Sequence, residues 1–244
     1  MKTLQKEKIK DHFERVSEMV IKGKGNKLGE RQEELYSIAG LGMKRLLNTL
    51  CDLNHKVSYL ELGAYRGGTL IAALWDNDVN AYAVDNFKYD ATAPNRFLED
   101  GHPNVRTALE NTIDTYKRAW QGPNDIKVIE ANVNDVDLSE IDSKLDIIFH
   151  DADKKENDVG DFLKKYKTAI DKYSIIAFTK VQDIGVKNSI EKDLKDADYV
   201  ILDEKMIPDT EVGLDGRSAV MLYYLENKTP VTVPTPKKKE VVNA

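Results

Sequence analysis

The sequence predicts an α/β protein: a doubly wound, mostly parallel sheet that ends in an antiparallel hairpin and carries an N-terminal helical cap. Three observations predict it. From Val57 onward, short apolar strands alternate with amphipathic helical stretches, the grammar of repeated strand-helix-strand units. Two consecutive strands without a helix between them, YVILDEKMI (199–207) and SAVMLYYLE (218–226), then close the pattern, joined only by PDTEVGLDGR. Such neighbours pair antiparallel. Before residue 57 the periodicity is helical.

In order along the chain, Ile9, Phe13, Val16 and Val20 repeat at helical spacing, and so do Leu35, Ala39, Met43, Leu46 and Leu50. Between these helices IKGKGNKLGE (21–30), with three glycines and three lysines, reads as a hinge or as a loop that closes over a ligand. Strands are expected at 57–62, 80–85, 126–131, 145–150 and 174–179. Helices are expected from Gly67 to Trp75, from Pro103 to Trp120, along Val159, Phe162, Leu163, Tyr166 and Ile170, and along Val186, Ile190 and Leu194. Counting the hairpin, the sheet has seven strands.

The 244 residues allow one sizeable core, divided as a cap over 1–56, a sheet domain over 57–227 and a tail over 228–244. The tail holds three prolines, a lysine triplet and no core pattern, the composition of a disordered segment. One cysteine, Cys51, and four histidines exclude a disulfide framework and a cysteine-rich zinc module. A cytoplasmic setting follows. No apolar run is long enough to cross a bilayer, and the start has no signal-peptide block. Lys and Arg number 36 and Asp and Glu 42, for a formal charge of −6. The first 27 residues carry +4 and the remainder −10, which argues against a nucleic-acid groove. A homodimer is compatible with the sequence, because no stretch sets a dimer contact apart from ordinary surface.

Chemistry concentrates after the first and second strands. The first ends in Glu61-Leu62-Gly63-Ala64-Tyr65-Arg66-Gly67-Gly68 before a helix. Its glycines permit a sharp turn beside a ligand, with the amides of the next helix facing an anionic group. A dinucleotide turn would read G-x-G-x-x-G; this one reads E-x-G-x-x-x-G-G, which suits a carboxylate better than a pyrophosphate. Asp85 closes the second strand 22 residues beyond Gly63, where a carboxylate can accept both hydroxyls of a ribose.

ELGAYRGG followed by AVDN, the strand-helix alternation and the terminal hairpin together resemble the class I S-adenosylmethionine-dependent methyltransferases over about residues 57–226. The resemblance implies a Rossmann-like seven-stranded sheet with its last strand reversed. It implies S-adenosyl-L-methionine as cofactor, with Glu61, Gly63, Ala64, Tyr65 and Gly67 around the methionine part. It also implies Asp85 on the ribose, Asn86 beside the adenine, and Asn132 and Val133 lining the adenine pocket.

LDIIFHDADKK (145–155) sets His150, Asp151, Asp153 and Lys154 just past the fourth strand, next to that crevice. A carboxylate there could hold a divalent cation, and a lysine could take a hydroxyl proton; as a plain loop, the Asp would cap the following helix. The string D-A-D-K is similar to the cation-dependent O-methyltransferases of the catechol and caffeoyl-coenzyme A type. That resemblance implies Asp151 as a magnesium ligand beside the cofactor and Lys154 as general base. It also requires an Asp-Asn pair ending the fifth strand, where this chain has Phe178-Thr179-Lys180 and no acid before Asp183. Magnesium prefers six oxygens. Asp183 reaching back, Lys180 standing beside Asp151 as a fixed charge without metal, and cofactor binding without this reaction are the three alternatives; the second is the hypothesis adopted.

The expected function is methyl transfer to a small molecule, at a hydroxyl oxygen. The rivals are a nicotinamide-dependent oxidoreductase or epimerase and a non-catalytic protein that keeps the fold. Phe87, Tyr89, Phe97 and His102 read as loop packing or a substrate lid, His12 and His55 have no metal partner at ligand spacing, and Cys51 reads as a small core residue.

Overall fold

The computed structural model describes residues 2–21, 26–33, 39–53, 55–88, 104–120, 124–152, 158–179, 181, 184–207 and 219–228. Among them, seven strands form one sheet in the order β3-β2-β1-β4-β5-β7-β6. The strands are β1 (Val57–Leu62), β2 (Val79–Asp85), β3 (Asp125–Glu130), β4 (Leu145–His150), β5 (Ile170–Phe178), β6 (Tyr199–Ile207) and β7 (Val220–Asn227). The first five run parallel, and β7 pairs antiparallel with both β5 and β6. β1 and β4 are buried at every position, as strands covered on both faces must be, which is why they read as mostly apolar runs without an exposed polar face.

Two apolar cores lie on opposite faces of this sheet. One is formed with helices α1 (Lys2–Ile21), α3 (Leu41–Leu50), α4 (Gly68–Leu74) and α5 (Val105–Ala119), the single turn α2 (Glu30–Glu33) lying between α1 and α3, and the other core with α6 (Asp158–Tyr166) and α7 (Ile184–Asp196). Tyr224 belongs to the first core and Tyr223 to the second, as alternation along a strand dictates. Ile9, Phe13 and Val16 of α1 are fully buried, each stabilising the fold by roughly 2 kcal/mol. α1 is also fastened by polar contacts: Lys205 Nζ donates to the carbonyls of Phe13 (3.0 Å) and Glu14 (2.7 Å), and the Tyr224 hydroxyl to that of Lys6 (3.0 Å). No helix of the described residues is long and apolar enough to cross a membrane.

The structure departs from the sequence expectations in four places. The second helix begins at Leu41, with Gly40 as an extended N-cap, so Ala39 is buried ahead of it; Leu35 lies outside the described residues. α5 starts at Val105, because Asn104 caps it by accepting the Thr107 amide (2.8 Å). α6 stops at Tyr166, and Ile170 opens β5 instead of continuing the helix. Its pairing with Leu145, and that of Tyr173 with Glu226, draw the polar stretch Asp171-Lys172 into the sheet. Val186 is 37% exposed, while Ile190 and Leu194 are buried. The tail after 228 and residues 22–25 lie outside the described residues.

What is described of the glycine-lysine segment does not reach the crevice. Lys27 Nζ bonds the Asp76 carbonyl (2.8 Å) and the Asn77 side chain (3.0 Å), and its backbone amide donates to Asn48 Oδ1 (2.7 Å). Asn48 donates in turn to the carbonyls of Ala72 and Trp75, both at 2.8 Å. These are the last carbonyls of α4, which take such donors readily. The glycine turn lies at the helix's other end.

Candidate functional site

The turn after β1 is shaped by three residues in left-handed conformation: Gly63 (φ 90°), Tyr65 (φ 49°) and Gly67 (φ 81°). At Gly63 a side chain is excluded twice over, since a Cβ would also lie 2.8 Å from the Ala152 backbone nitrogen. The chain leaving β4 passes that close because the Asp151 amide bonds the Leu62 carbonyl (2.9 Å). At Gly67 a Cβ would meet Leu109 of α5 at 2.5 Å.

Asp85, at the tip of β2, locks this turn. Its Oδ2 accepts the Tyr65 amide (2.8 Å) and its Oδ1 the Phe87 amide (2.7 Å). Both donors are non-glycine residues with positive φ, Phe87 at 52°, so one carboxylate holds two backbone conformations that L residues avoid. The remaining turn amides are also bonded within the protein: Gly63 and Ala64 to the Val84 carbonyl (2.9 and 3.2 Å), and Gly67 to that of Ala64 (2.9 Å). The amides of Gly63, Ala64, Tyr65 and Gly67 are thus engaged within the turn, and the expectation of amides facing an anionic group concerns the first turn of α4, from Gly68 onward.

Carboxyl groups stand around the turn instead. Leu62 pairs with Val84 on one side and His150 on the other, so Asp85 and Asp151 follow on the two strands flanking Gly63. Below them Glu61 is fully buried, its Oε1 accepting from the Thr69 hydroxyl (2.6 Å) and its Oε2 from the Tyr59 hydroxyl (2.7 Å). Burial pushes its carboxyl up to about 8; the two hydroxyl donors oppose this, and Asp151 and Asp85 reinforce it. Burial likewise drives the Tyr59 hydroxyl and the Cys51 thiol upward.

Asp151 meets Thr179, the residue just past β5. The Thr179 hydroxyl donates to Asp151 Oδ1 (2.6 Å) and its amide to the His150 carbonyl (3.3 Å). The magnesium expectation does not fit these residues. No group of three His, Cys, Asp or Glu side chains that could hold a metal ion occurs among the described residues, and one Asp151 oxygen already accepts the Thr179 hydroxyl's hydrogen bond. Lys154, Lys180, Asp153 and Asp183 lie outside the described residues, as do Tyr89, Phe97 and His102. His150 is buried between the rings of Phe162 and Phe178 (centroids 5.2 and 5.6 Å).

Beyond Asp85, Asn86 Nδ2 donates to Asn132 Oδ1 (3.0 Å), and Asn132 Nδ2 to Asp135 Oδ2 (2.6 Å). The Val133 carbonyl accepts the Tyr166 hydroxyl (2.9 Å). The loops after β2 and β3 are thus tied side by side, which brings Asn86 and Asn132 into contact, with Val133 next in the chain. Sequence reasoning missed Tyr59, Thr69 and Thr179. The first two were legible in principle: Tyr59 shares a strand face with Glu61, and Thr69 opens the helix beyond the turn.

The sequence matches no protein-family model and no curated protein. Solved structures share the fold. A Pyrococcus horikoshii protein described as an RNA methyltransferase superposes with a TM-score of 0.50 at 16% identity, covering 87% of this chain and 98% of that one. The Burkholderia thailandensis 1,6-didemethyltoxoflavin-N1-methyltransferase, solved with 1,6-didemethyltoxoflavin and S-adenosylhomocysteine bound, gives 0.51 at 13% over 75% and 77%. TrmN from Thermus thermophilus gives 0.51 at 13% identity, covering 81% of this chain, which spans 52% of TrmN's length. At these identities the likeness concerns architecture: the chain has the Rossmann-like fold of the class I methyltransferases, with the antiparallel β7-β6 hairpin at its edge.

Proposed function

We propose that the protein is an S-adenosylmethionine-dependent methyltransferase acting on a small molecule, at a hydroxyl oxygen. The observation that carries the reading is the Asp85 bridge. A carboxylate at the tip of β2, bonded to the turn after β1, supports reading Asp85 as the ribose acceptor, because ligands of open α/β sheets bind at such strand tips. Each carboxylate oxygen can accept more than one hydrogen bond, so the two backbone amides on Asp85 do not preclude ribose hydroxyls. Asn86, Asn132 and Val133 then flank the adenine, and Glu61, Gly63, Ala64, Tyr65 and Gly67 surround the amino-acid end. The Burkholderia thailandensis enzyme, which shares the fold and was solved with S-adenosylhomocysteine, supports the choice of ligand.

The bound sulfonium supplies an already activated methyl group. What remains for the chain is to align the acceptor and exclude water. Asp151, oriented by Thr179, receives the acceptor's hydroxyl hydrogen bond, Lys154 takes its proton as general base, and Lys180 stands by as a fixed positive charge. The charge of −10 outside the first 27 residues favours a small acceptor over RNA.

Calorimetry with S-adenosylhomocysteine and with NAD, on wild type and Asp85→Ala, tests the cofactor. Transfer of labelled methyl across a panel of hydroxyl-bearing metabolites and RNA tests the acceptor. Micromolar binding of S-adenosylhomocysteine that is lost in Asp85→Ala is expected; binding of NAD alone, or of neither, overturns the reading. Labelling of RNA in place of the small molecules overturns the acceptor.

A further inference from the structure

One face of α6 touches both β4 and the turn that follows β3. Phe162 and Tyr166 stand four residues apart, so they share a side of the helix, and both are fully buried with their rings in contact (centroids 4.9 Å). Phe162 lies against the ring of His150 (5.2 Å), the last residue of β4 and the one before Asp151. Tyr166 donates its hydroxyl to the Val133 carbonyl (2.9 Å), 33 positions earlier in the chain. Its neighbour Lys165 donates from Nζ to the Asn134 carbonyl (2.7 Å). Two consecutive residues of one helix thus hold two consecutive carbonyls of the short 3-10 turn Val133–Asp135. A single turn of this kind holds its own shape poorly, so its position depends on what grips it from outside. The side chains at its ends, Asn132 and Asp135, are exposed and bring oxygen acceptors: Asn132 Oδ1 takes the Asn86 amide and Asp135 Oδ2 takes that of Asn132, and each oxygen has a further lone pair.

We propose that Tyr166 is a positioning residue for base selectivity: through the Val133 carbonyl it fixes the turn that meets the purine of the bound nucleoside. This rests on reading Asn86, Asn132 and Val133 as the adenine side of an adenosyl ligand. Tyr166 itself touches no ligand. Its ring is packed on Phe162 inside the second core, and its hydroxyl ends on a backbone oxygen. A turn that brings acceptor oxygens suits a base carrying an amino group, which donates to them, and disfavours one carrying an oxo group at the same position, which leaves them unpaired. That discrimination needs the acceptors held in place, because a hydrogen bond weakens steeply when its angle opens. Removing the Tyr166 hydroxyl lets the turn shift and takes away the advantage of the amino base, while the rest of the ligand's contacts, at Asp85 and the glycine turn, stay as they are.

The test is calorimetry of S-adenosylhomocysteine and of S-inosylhomocysteine, which differ only in an amino against an oxo group on the purine, with wild type and Tyr166→Phe. The phenylalanine keeps the ring and removes one hydroxyl. Wild type should prefer the adenosyl ligand about tenfold or more. In Tyr166→Phe the adenosyl affinity should fall about fivefold, the net worth of one hydrogen bond, and the inosyl affinity should change less than about twofold, so the ratio of the two contracts. Tyr199→Phe is the control, since it removes a buried hydroxyl that has no hydrogen-bond partner; both affinities should stay within about twofold. Lys165→Met, which removes the neighbouring anchor, should contract the ratio in the same direction and serves if Tyr166→Phe does not fold. An equal loss for both ligands, unchanged affinity, a matching effect in Tyr199→Phe, or a wild type that binds the two ligands alike overturns the proposal alone. Failure of both ligands to bind wild type overturns the reading of the crevice and this proposal with it.

Discussion

A carboxyl that resists ionisation inside the fold leaves a signature in how stability varies with pH, and Glu61→Gln erases it. In the unfolded chain the group ionises near its ordinary 4.5, in the native protein near 8. Between those values the native state holds a proton that the unfolded state has lost. Stability therefore falls as pH rises through the window and levels off above it. At about 1.4 kcal/mol per pH unit the whole window corresponds to roughly 5 kcal/mol, of which about 4 kcal/mol falls between pH 5 and pH 9. Urea denaturation at pH 5, 7 and 9, followed by the fluorescence of the half-buried Trp75 and Trp120, measures it for wild type and variant. The absolute stability of Glu61→Gln includes the cost of fitting an amide between Thr69 and Tyr59, so the informative quantity is the difference between the two proteins across pH. Asp146, which burial raises to about 6, titrates in both and cancels. The variant should gain about 4 kcal/mol on wild type from pH 5 to pH 9. Parallel profiles would show that Glu61 ionises normally and would refute the reasoning.

Further outcomes follow from other contacts. Asp85→Ala frees two amides and the left-handed backbone of Tyr65 and Phe87, and should cost about 2 to 4 kcal/mol in denaturant unfolding together with loss of adenosyl-ligand binding. Gly63→Ala places a methyl against the Ala152 backbone at positive φ; about 2 to 4 kcal/mol of destabilisation is expected in the same assay, and wild-type stability would contradict the turn geometry. Asn48→Ala removes the donor to two α4 carbonyls and the acceptor for Lys27, costing about 2 to 3 kcal/mol, yet calorimetry should find ligand affinity within about threefold of wild type because the contact lies at the far end of α4. Thr179→Val leaves Asp151 without its hydroxyl donor; kcat should fall about tenfold or more with ligand affinity retained, and Thr179→Ser should restore it.

The sheet was legible because period and punctuation agree: mostly apolar runs for strands covered on both faces, glycine at the first turn, and two strands without a helix between them. Local misreadings arose where tertiary pairing decides the outcome. Asp171 and Lys172 look like a helix end, but their neighbours' pairing with β4 and β7 makes them strand. At the site, residue types marked the place correctly while hydrogen-bond direction stayed hidden. The glycines announced a turn, but not that the amides of Gly63, Ala64, Tyr65 and Gly67 would be bonded within the protein. Thr179 illustrates the same limit, since its contact with Asp151 joins residues 28 positions apart and no spacing rule announces it.

The fastening of α1 has a bearing on how the protein comes to be made. Its carbonyls are held by Lys205 and Tyr224, 191 to 218 positions downstream. Contacts so distant in the chain form late, because so large a loop must be closed first. During synthesis α1 is thus seated long after it is made, and Ile9, Phe13 and Val16 stay uncovered on that side until β7 has emerged, a window in which a chaperone that grips apolar helices would find its substrate.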